Sequence, residues 1–196
     1  MASSSFHNHA GRPAQEDGGA TLLEIGQQPD AWREVAARSD DDVTGFLHDV
    51  LNRPNLRVIL TGAGSSAFVG EIAAPALRHH LRRRVEAIPT TSIVASPLDY
   101  LERETPTLMV SFGRSGNSPE SLATTALADE LVTDVWHLIY TCDRDGELGR
   151  AHSVRANARV VYMPERTNDT GFAMTSSLTS MLLSCLMMLG PADRAD

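Results

Sequence analysis

Five short apolar runs, separated by stretches of helical length, occupy the chain after Pro54, and that alternation constrains the fold more than any other feature of the sequence. The runs are Arg57–Thr61, Val85–Ile88, Thr107–Ser111, Val135–Thr141 and Arg159–Met163. Between them Ala67–Arg83, Pro119–Leu131 and Glu147–Val154 carry helical patterns, with a short helical turn at Pro97–Leu101. Runs that are apolar on both sides need cover on both faces, and strands that alternate with helices pair in parallel through crossover connections. Right-handed crossovers then give an α/β fold of three layers, a doubly wound five-stranded parallel sheet.

Helices are expected ahead of the sheet, in a segment spanning 21–53. Thr21 and Glu24 have the T-x-x-E spacing of a capping box, Pro29 suits a helix start running to Arg38, and Asp40–Asp42 open a third helix ending near Leu51. Residues 1–20, rich in Ser, Gly, Pro and His and without periodicity, are expected to be a disordered leader. The ligand-binding domain is then 54–190 and a tail is 191–196. The last predicted helix, Phe172–Leu189, is apolar nearly all round and needs cover on more than one side, so a homo-oligomer, a dimer first, is expected.

A chain of 196 residues with 42% hydrophobic content fits one ordinary domain with a real core. Its formal charge of −8 argues against nucleic acid as the main partner. Every basic residue is arginine, so neither a Schiff base nor the lysine of a Walker loop is available. Cys142 and Cys185 lie in apolar patterns and are expected to be reduced core residues. The N-terminus lacks the basic and apolar regions of a signal peptide, and no segment has the length of a membrane span; a cytoplasmic protein is expected. His7 and His9 have no third ligand nearby in sequence, so no metal is expected there.

Two glycine–serine turns carry the functional signal. The first strand runs into Thr61–Ser66 (TGAGSS), the third into Ser111–Ser118 (SFGRSGNS). The carboxyl ends of parallel strands share one edge, so both turns can face one crevice. Gly62, Gly64, Gly113 and Gly116 permit close backbone approach, while Ser65, Ser66, Ser115 and Ser118 offer hydroxyls to phosphate oxygens. Arg114 adds a positive fork, and Ser118–Pro119 fits a helix cap followed by a first helical residue. Each turn alone is a weak signal, since many strand-to-helix turns bind nothing. A dinucleotide is disfavoured because Ala67 stands where a third glycine often sits and Pro89–Ser92 replaces the acidic residue after the second strand. A hydroxyl cradle for a phosphomonoester, without cofactor or metal, fits the pair of turns.

These turns, with TGAGSSAFVGEIAAPAL from Thr61, SFGRSGNSPES from Ser111, TNDTGFAMTSSLT from Thr167 and TLLEIGQQPDAW from Thr21, resemble the first SIS (sugar isomerase) domain of the tagatose-6-phosphate ketose/aldose isomerase group, whose members include galactosamine-6-phosphate deaminase/isomerases. The resemblance runs from Thr21 to Leu189. It implies a flavodoxin-like sheet and binding of a phosphorylated sugar or amino sugar by Ser65, Ser66, Ser115, Asn117 and Ser118, with Gly64 and Gly116 as backbone contacts. At Arg114 the related glucosamine-6-phosphate synthase carries glutamine. The group has two such domains in tandem, with a glutamate base in the second; no counterpart of that base is recognised in this chain, which is expected to be the phosphosugar-binding half. A non-catalytic phosphosugar-sensing module is the alternative.

No catalytic base is therefore assigned. Asp169 is the carboxylate best placed for a site role, against a competing reading as a helix N-terminal acid beside the dipole. Glu120 has the same dipole explanation. His79 and His80 read as a solvated helix end, His137 as a packed strand residue, and His152 as a contributor only if its loop folds over the site.

Overall fold

The five apolar runs form one all-parallel sheet. In the structure, a computed structural model that describes residues 14–190, they are β1 (Arg57–Gly62), β2 (Val85–Ala87), β3 (Thr107–Gly113), β4 (Val135–Thr141) and β5 (Ala158–Tyr162). Their order across the sheet is β2-β1-β3-β4-β5, the flavodoxin-like arrangement. The helices are α1 (Ala14–Gly26), α2 (Gln28–Ala36), α3 (Asp41–Leu51), α4 (Ser65–Leu81), α5 (Thr90–Ala95), α6 (Pro97–Tyr100), α7 (Pro119–Leu131), α8 (Glu147–His152) and α9 (Ser176–Leu189).

Alternation along the strands divides the core in two. Leu60, Val110 and Tyr140 face α3, α4 and α9, where they meet Leu47, Leu77 and Met181. Ile59 and Met109 point the other way, against Ile93 of α5 and Ala128 of α7. Both cysteines are buried and unbridged, and burial pushes each thiol up to about 12. The apolar circumference of α9 is covered on one side by the sheet and α4 and on another by α2. Pro29, Trp32, Ala36, Leu182, Leu183 and Leu186 leave an open groove of about 580 Å³ along that second contact.

Local signals set several boundaries. The Asp40 side chain accepts the Val43 N–H at 3.1 Å and starts α3, and Pro119 begins α7 behind the Ser118 cap. Three expectations change. Helix α1 already begins at Ala14, so the disordered leader does not hold for 14–20, and Thr21 lies inside the helix rather than capping one; residues 1–13, with His7 and His9, and the tail 191–196 lie outside the described residues. A helix not foreseen from sequence, α5, follows Pro89, and its Thr90 hydroxyl donates to the Gly62 carbonyl at 3.1 Å. Helix α9 starts at Ser176 rather than Phe172, because the Asp169 carboxylate collects the N–H groups of Thr175 and Ser177 and fixes the first turn there.

A charged and imidazole cluster lies under α7 and α8. His137 Nε2 is 3.0 Å from Asp129 Oδ1, Arg155 donates to Asp129 Oδ2 at 2.7 Å, and the His137 and His152 rings meet edge to face at 5.0 Å. Burial alone would raise the Asp129 carboxyl, but the bonds from His137 and Arg155 outweigh it and hold it at about 2. Burial pushes His152 down to about 4, outweighing the hydrogen bond it donates to the Leu148 carbonyl. The unfolded chain therefore takes up the His152 proton first. The His152 contribution is whole above its ordinary value near 6.5 and drains away as pH falls towards 4; the Asp129 contribution is whole above 3.8 and drains towards 2. At pH 4.5 the histidine loss amounts to about 2 kcal/mol, or about 4–8 °C in melting temperature. Thermal melts at pH 7.5 and 4.5 should show that extra drop in wild type and not in His152→Gln; equal drops would remove the histidine from the account.

Candidate functional site

β1 and β3 are neighbours at the point where the strand order reverses, the crevice that doubly wound sheets use for ligands. Gly62 stands opposite Phe112 in the ladder, so the turns that follow leave the sheet side by side.

In the first turn Gly62 has no room for a side chain: a Cβ there would lie 2.7 Å from the Ser66 carbonyl carbon. Gly64, with φ of +56°, turns the chain into α4 in a conformation that side chains disfavour. Ser65 is exposed at the start of that helix. Ser66 is buried, with its hydroxyl 3.9 Å from the Met174 sulfur. Only Ser65 thus points its hydroxyl towards solvent at the mouth, while Ser66 faces the β5–α9 loop.

The second turn is more heavily tied. Gly116, with φ of +65°, accepts the Leu148 N–H at 2.9 Å through its carbonyl. The Ser118 hydroxyl accepts the Ser121 N–H at 3.3 Å and donates to Ser121 Oγ at 2.7 Å, so it is spent on capping α7. Asn117 Oδ1 accepts the Glu147 N–H at 2.9 Å, leaving the other end of its amide exposed. Ser115 makes one long contact, accepting the Asn117 N–H at 3.3 Å. Helices α4 and α7 both begin at this edge, and their N-terminal N–H groups and dipoles favour an anion between them.

A third wall escaped the sequence reading. The Arg114 carbonyl accepts the N–H groups of Cys142 and Asp143 at 3.0 and 3.1 Å, and Gly146 packs directly on the Ser115 carbonyl. The available signal was Gly146 within the polar stretch that follows β4, the strand next to β3.

Arg114 also reaches the opposite way, donating from Nη1 to the Asp169 carbonyl at 2.7 Å. Asp169 itself is 3% exposed. Its carboxylate accepts the N–H groups of Thr175 and Ser177, each at 2.8 Å, the Ser177 hydroxyl at 2.6 Å and the Ser176 hydroxyl. The helix-terminus reading of this residue is therefore the one the geometry shows: it starts α9 with its side chain and seats Arg114 with its backbone. His79 and His80 are exposed at the end of α4, Glu120 lies in the first turn of α7, and His152 is packed beneath α8 instead of over the site. Among the described residues there is no group of three metal-ligating side chains, and no helix is long and apolar enough to cross a membrane.

A parallel sheet with paired glycine–serine turns at its switch point, each feeding a helix, is a doubly wound α/β domain of the ligand-binding class. Within that class the SIS domain family model matches residues 51–190, and the chain belongs to that family. A Streptomyces coelicolor protein provisionally named D-galactosamine-6-phosphate deaminase AgaS is 49% identical over 181 residues, covering 91% of this chain and 47% of its own. The D-galactosamine-6-phosphate deaminase AgaS of Escherichia coli O157:H7 is 47% identical over 87% of this chain and 45% of its own. The crystal structure of tagatose-6-phosphate ketose/aldose isomerase from Escherichia coli superposes with a TM-score of 0.85 at 45% identity, over 92% of this chain and 50% of that one. The chain spans about half the length of the curated relatives it matches.

Proposed function

We propose that this chain binds a sugar 6-phosphate of the tagatose or galactosamine type and forms the phosphosugar-binding half of a cytoplasmic aldose–ketose isomerase or amino-sugar-phosphate deaminase. The observation that carries the reading is the convergence of two helix N-termini, each preceded by a positive-φ glycine with a serine next to it, on the switch-point crevice. The names of relatives above 40% identity agree with it.

In this reading the phosphate lies between the turns. The Ser65 and Ser115 hydroxyls donate to its oxygens, and Gly64 and Gly116 let the backbone approach. Ser118 holds the start of α7 through its cap, and the buried Ser66 faces Met174. The Asn117 amide and the remaining guanidinium N–H groups of Arg114 face the sugar oxygens. Anchoring a remote phosphate contributes to catalysis by fixing the carbons at the other end of the sugar, where a base must move a proton between C1 and C2. No base is assigned among the residues of this site, so the chain alone is expected to bind without appreciable turnover.

Calorimetric titration of the purified chain with galactosamine 6-phosphate and tagatose 6-phosphate should give saturable binding; none at millimolar ligand would overturn the reading. Parallel assays for ammonia release and for isomerisation distinguish the two chemistries once the partner domain is supplied. Sedimentation of the same preparation should show a dimer, an expectation supported by the open apolar groove between α2 and α9.

A further inference from the structure

The N-terminal helices lie outside the residues matched by the SIS family model, yet they fasten one loop of the SIS domain at several points. Gln27 Nε2 donates to the Arg166 carbonyl at 2.7 Å and to Ser176 Oγ at 2.9 Å, and Trp32 Nε1 donates to Thr179 Oγ1 at 3.0 Å. From α1, Glu24 Oε1 accepts the N–H groups of Thr170 and Gly171 at 2.6 and 2.9 Å. All five partners lie in the connection between β5 and α9 or in the first turn of α9.

Glu24 is the costly member of this set. The residue is only 7% exposed, and Oε2 is buried with no hydrogen-bond partner among the described residues. A buried carboxylate with one oxygen unpaired is a poor source of stability, and an apolar residue of similar size would serve packing better. What the carboxylate supplies is position. It pins two consecutive backbone N–H groups directly after Asp169, and the Asp169 carbonyl is the group that receives Arg114 at 2.7 Å.

We infer that Glu24 is a positioning residue for the Arg114 side of the site: it fixes the Thr170–Gly171 backbone so that the Asp169 carbonyl stands where Arg114 docks. The inference rests on the functional reading above for what Arg114 meets. It does not involve the phosphate anchors Ser65 and Ser115, whose turns have other supports. Loss of Glu24 should therefore weaken the hold on the sugar while sparing the hold on phosphate.

Gly171 gives an independent approach from the loop side. A Cβ there would lie 2.7 Å from Glu24 Oε2, 2.6 Å from Thr21 Oγ1 and 3.1 Å from the Thr21 backbone nitrogen; the two side-chain ends can swing away, and the backbone need give only a few tenths of an ångström. Gly171→Ala should displace the carboxylate much as Glu24→Ala deletes it.

The test compares wild type, Glu24→Ala, Glu24→Gln, Gly171→Ala and Arg114→Ala in the full chain. Amide hydrogen exchange is read first, because it needs no ligand. Glu24→Ala and Gly171→Ala should speed exchange at Thr170 and Gly171, and should also remove the slowed exchange of the Arg114 Nη1 N–H that bonds to the Asp169 carbonyl, read by 15N NMR. Faster exchange confined to Thr170 and Gly171 overturns the inference. In titrations, both variants should raise the Kd for galactosamine 6-phosphate about tenfold and that for inorganic phosphate less than about twofold, with Glu24→Gln intermediate because one oxygen remains. Glu24→Ala should add nothing in the Arg114→Ala background. Equal losses for both ligands, or no loss for either, overturn the inference. If wild type binds neither ligand, the functional reading fails, and the exchange of the Arg114 Nη1 N–H still decides the role of Glu24.

Discussion

Asp169→Ala is expected to lower the melting temperature by about 6–12 °C, the largest single-residue stability loss argued for this fold. The carboxylate is buried and accepts two backbone N–H groups and two hydroxyls at the start of α9. An ordinary N-cap satisfies one or two donors and is worth about 1 kcal/mol. Here alanine leaves a cluster of buried donors unpaired at once, and a helix terminus with a charge-assisted cap loses its anion, for a total of about 3 kcal/mol. The helix concerned packs on α2, α4 and the sheet, so the loss is felt in the global transition and not only in a frayed end. Asp169→Asn keeps an acceptor oxygen and should lose about half as much. Scanning calorimetry at pH 7 checks both; a shift below about 2 °C for alanine would show that solvent or a neighbouring group takes over the cap.

The same residue shows where sequence reading reached and where it stopped. The sheet was legible because its strands are buried on both faces and therefore announce themselves as continuous apolar runs. The two turns were legible because glycine, serine and a proline at a first helical position are local requirements of a strand-to-helix connection. What depended on distant partners was not. Glu24 fits a capping box with Thr21 by spacing, but its partners are the N–H groups of Thr170 and Gly171, 146 and 147 residues along the chain. The start of α9 was placed at Phe172 from apolarity alone, yet Phe172 is 96% exposed and the helix waits for the Asp169 cap. Ser65 and Ser66 are equivalent in sequence and opposite in orientation, because consecutive residues of a helix point about 100° apart. Periodicity could have separated them only once the helix start at Ser65 was known.

That difference in orientation sets the second large effect. The double variant Ser65→Ala/Ser115→Ala is expected to weaken sugar-phosphate binding about 100-fold while leaving the fold intact. Ser65 and Ser115 are the serines of the two turns that the fold uses least: Ser65 is exposed at the head of α4, and Ser115 only accepts one N–H at 3.3 Å. Each hydroxyl donating to a phosphate oxygen makes a charge-assisted bond worth about 1.5 kcal/mol, so removing both costs about 3 kcal/mol of binding, slightly more than two decades. Removing them costs the free protein little: Ser65 is exposed, and the half-buried Ser115 gives up one long hydrogen bond, a combined loss of about 1 kcal/mol. Ser118→Ala behaves differently, because Ser118 caps α7; it should lower stability by about 1 kcal/mol, and any loss of affinity it shows mixes a hydroxyl with a displaced helix start. Titration and thermal melting of the double variant and of Ser118→Ala, side by side, separate contact from scaffold. An unchanged affinity in the double variant would place the phosphate elsewhere on the sheet edge. A loss in Ser118→Ala that tracks its melting temperature, beside a loss in the double variant that does not, is the pattern required of two turns in which Ser65 and Ser115 meet the ligand while Ser118 holds the helix behind the second turn.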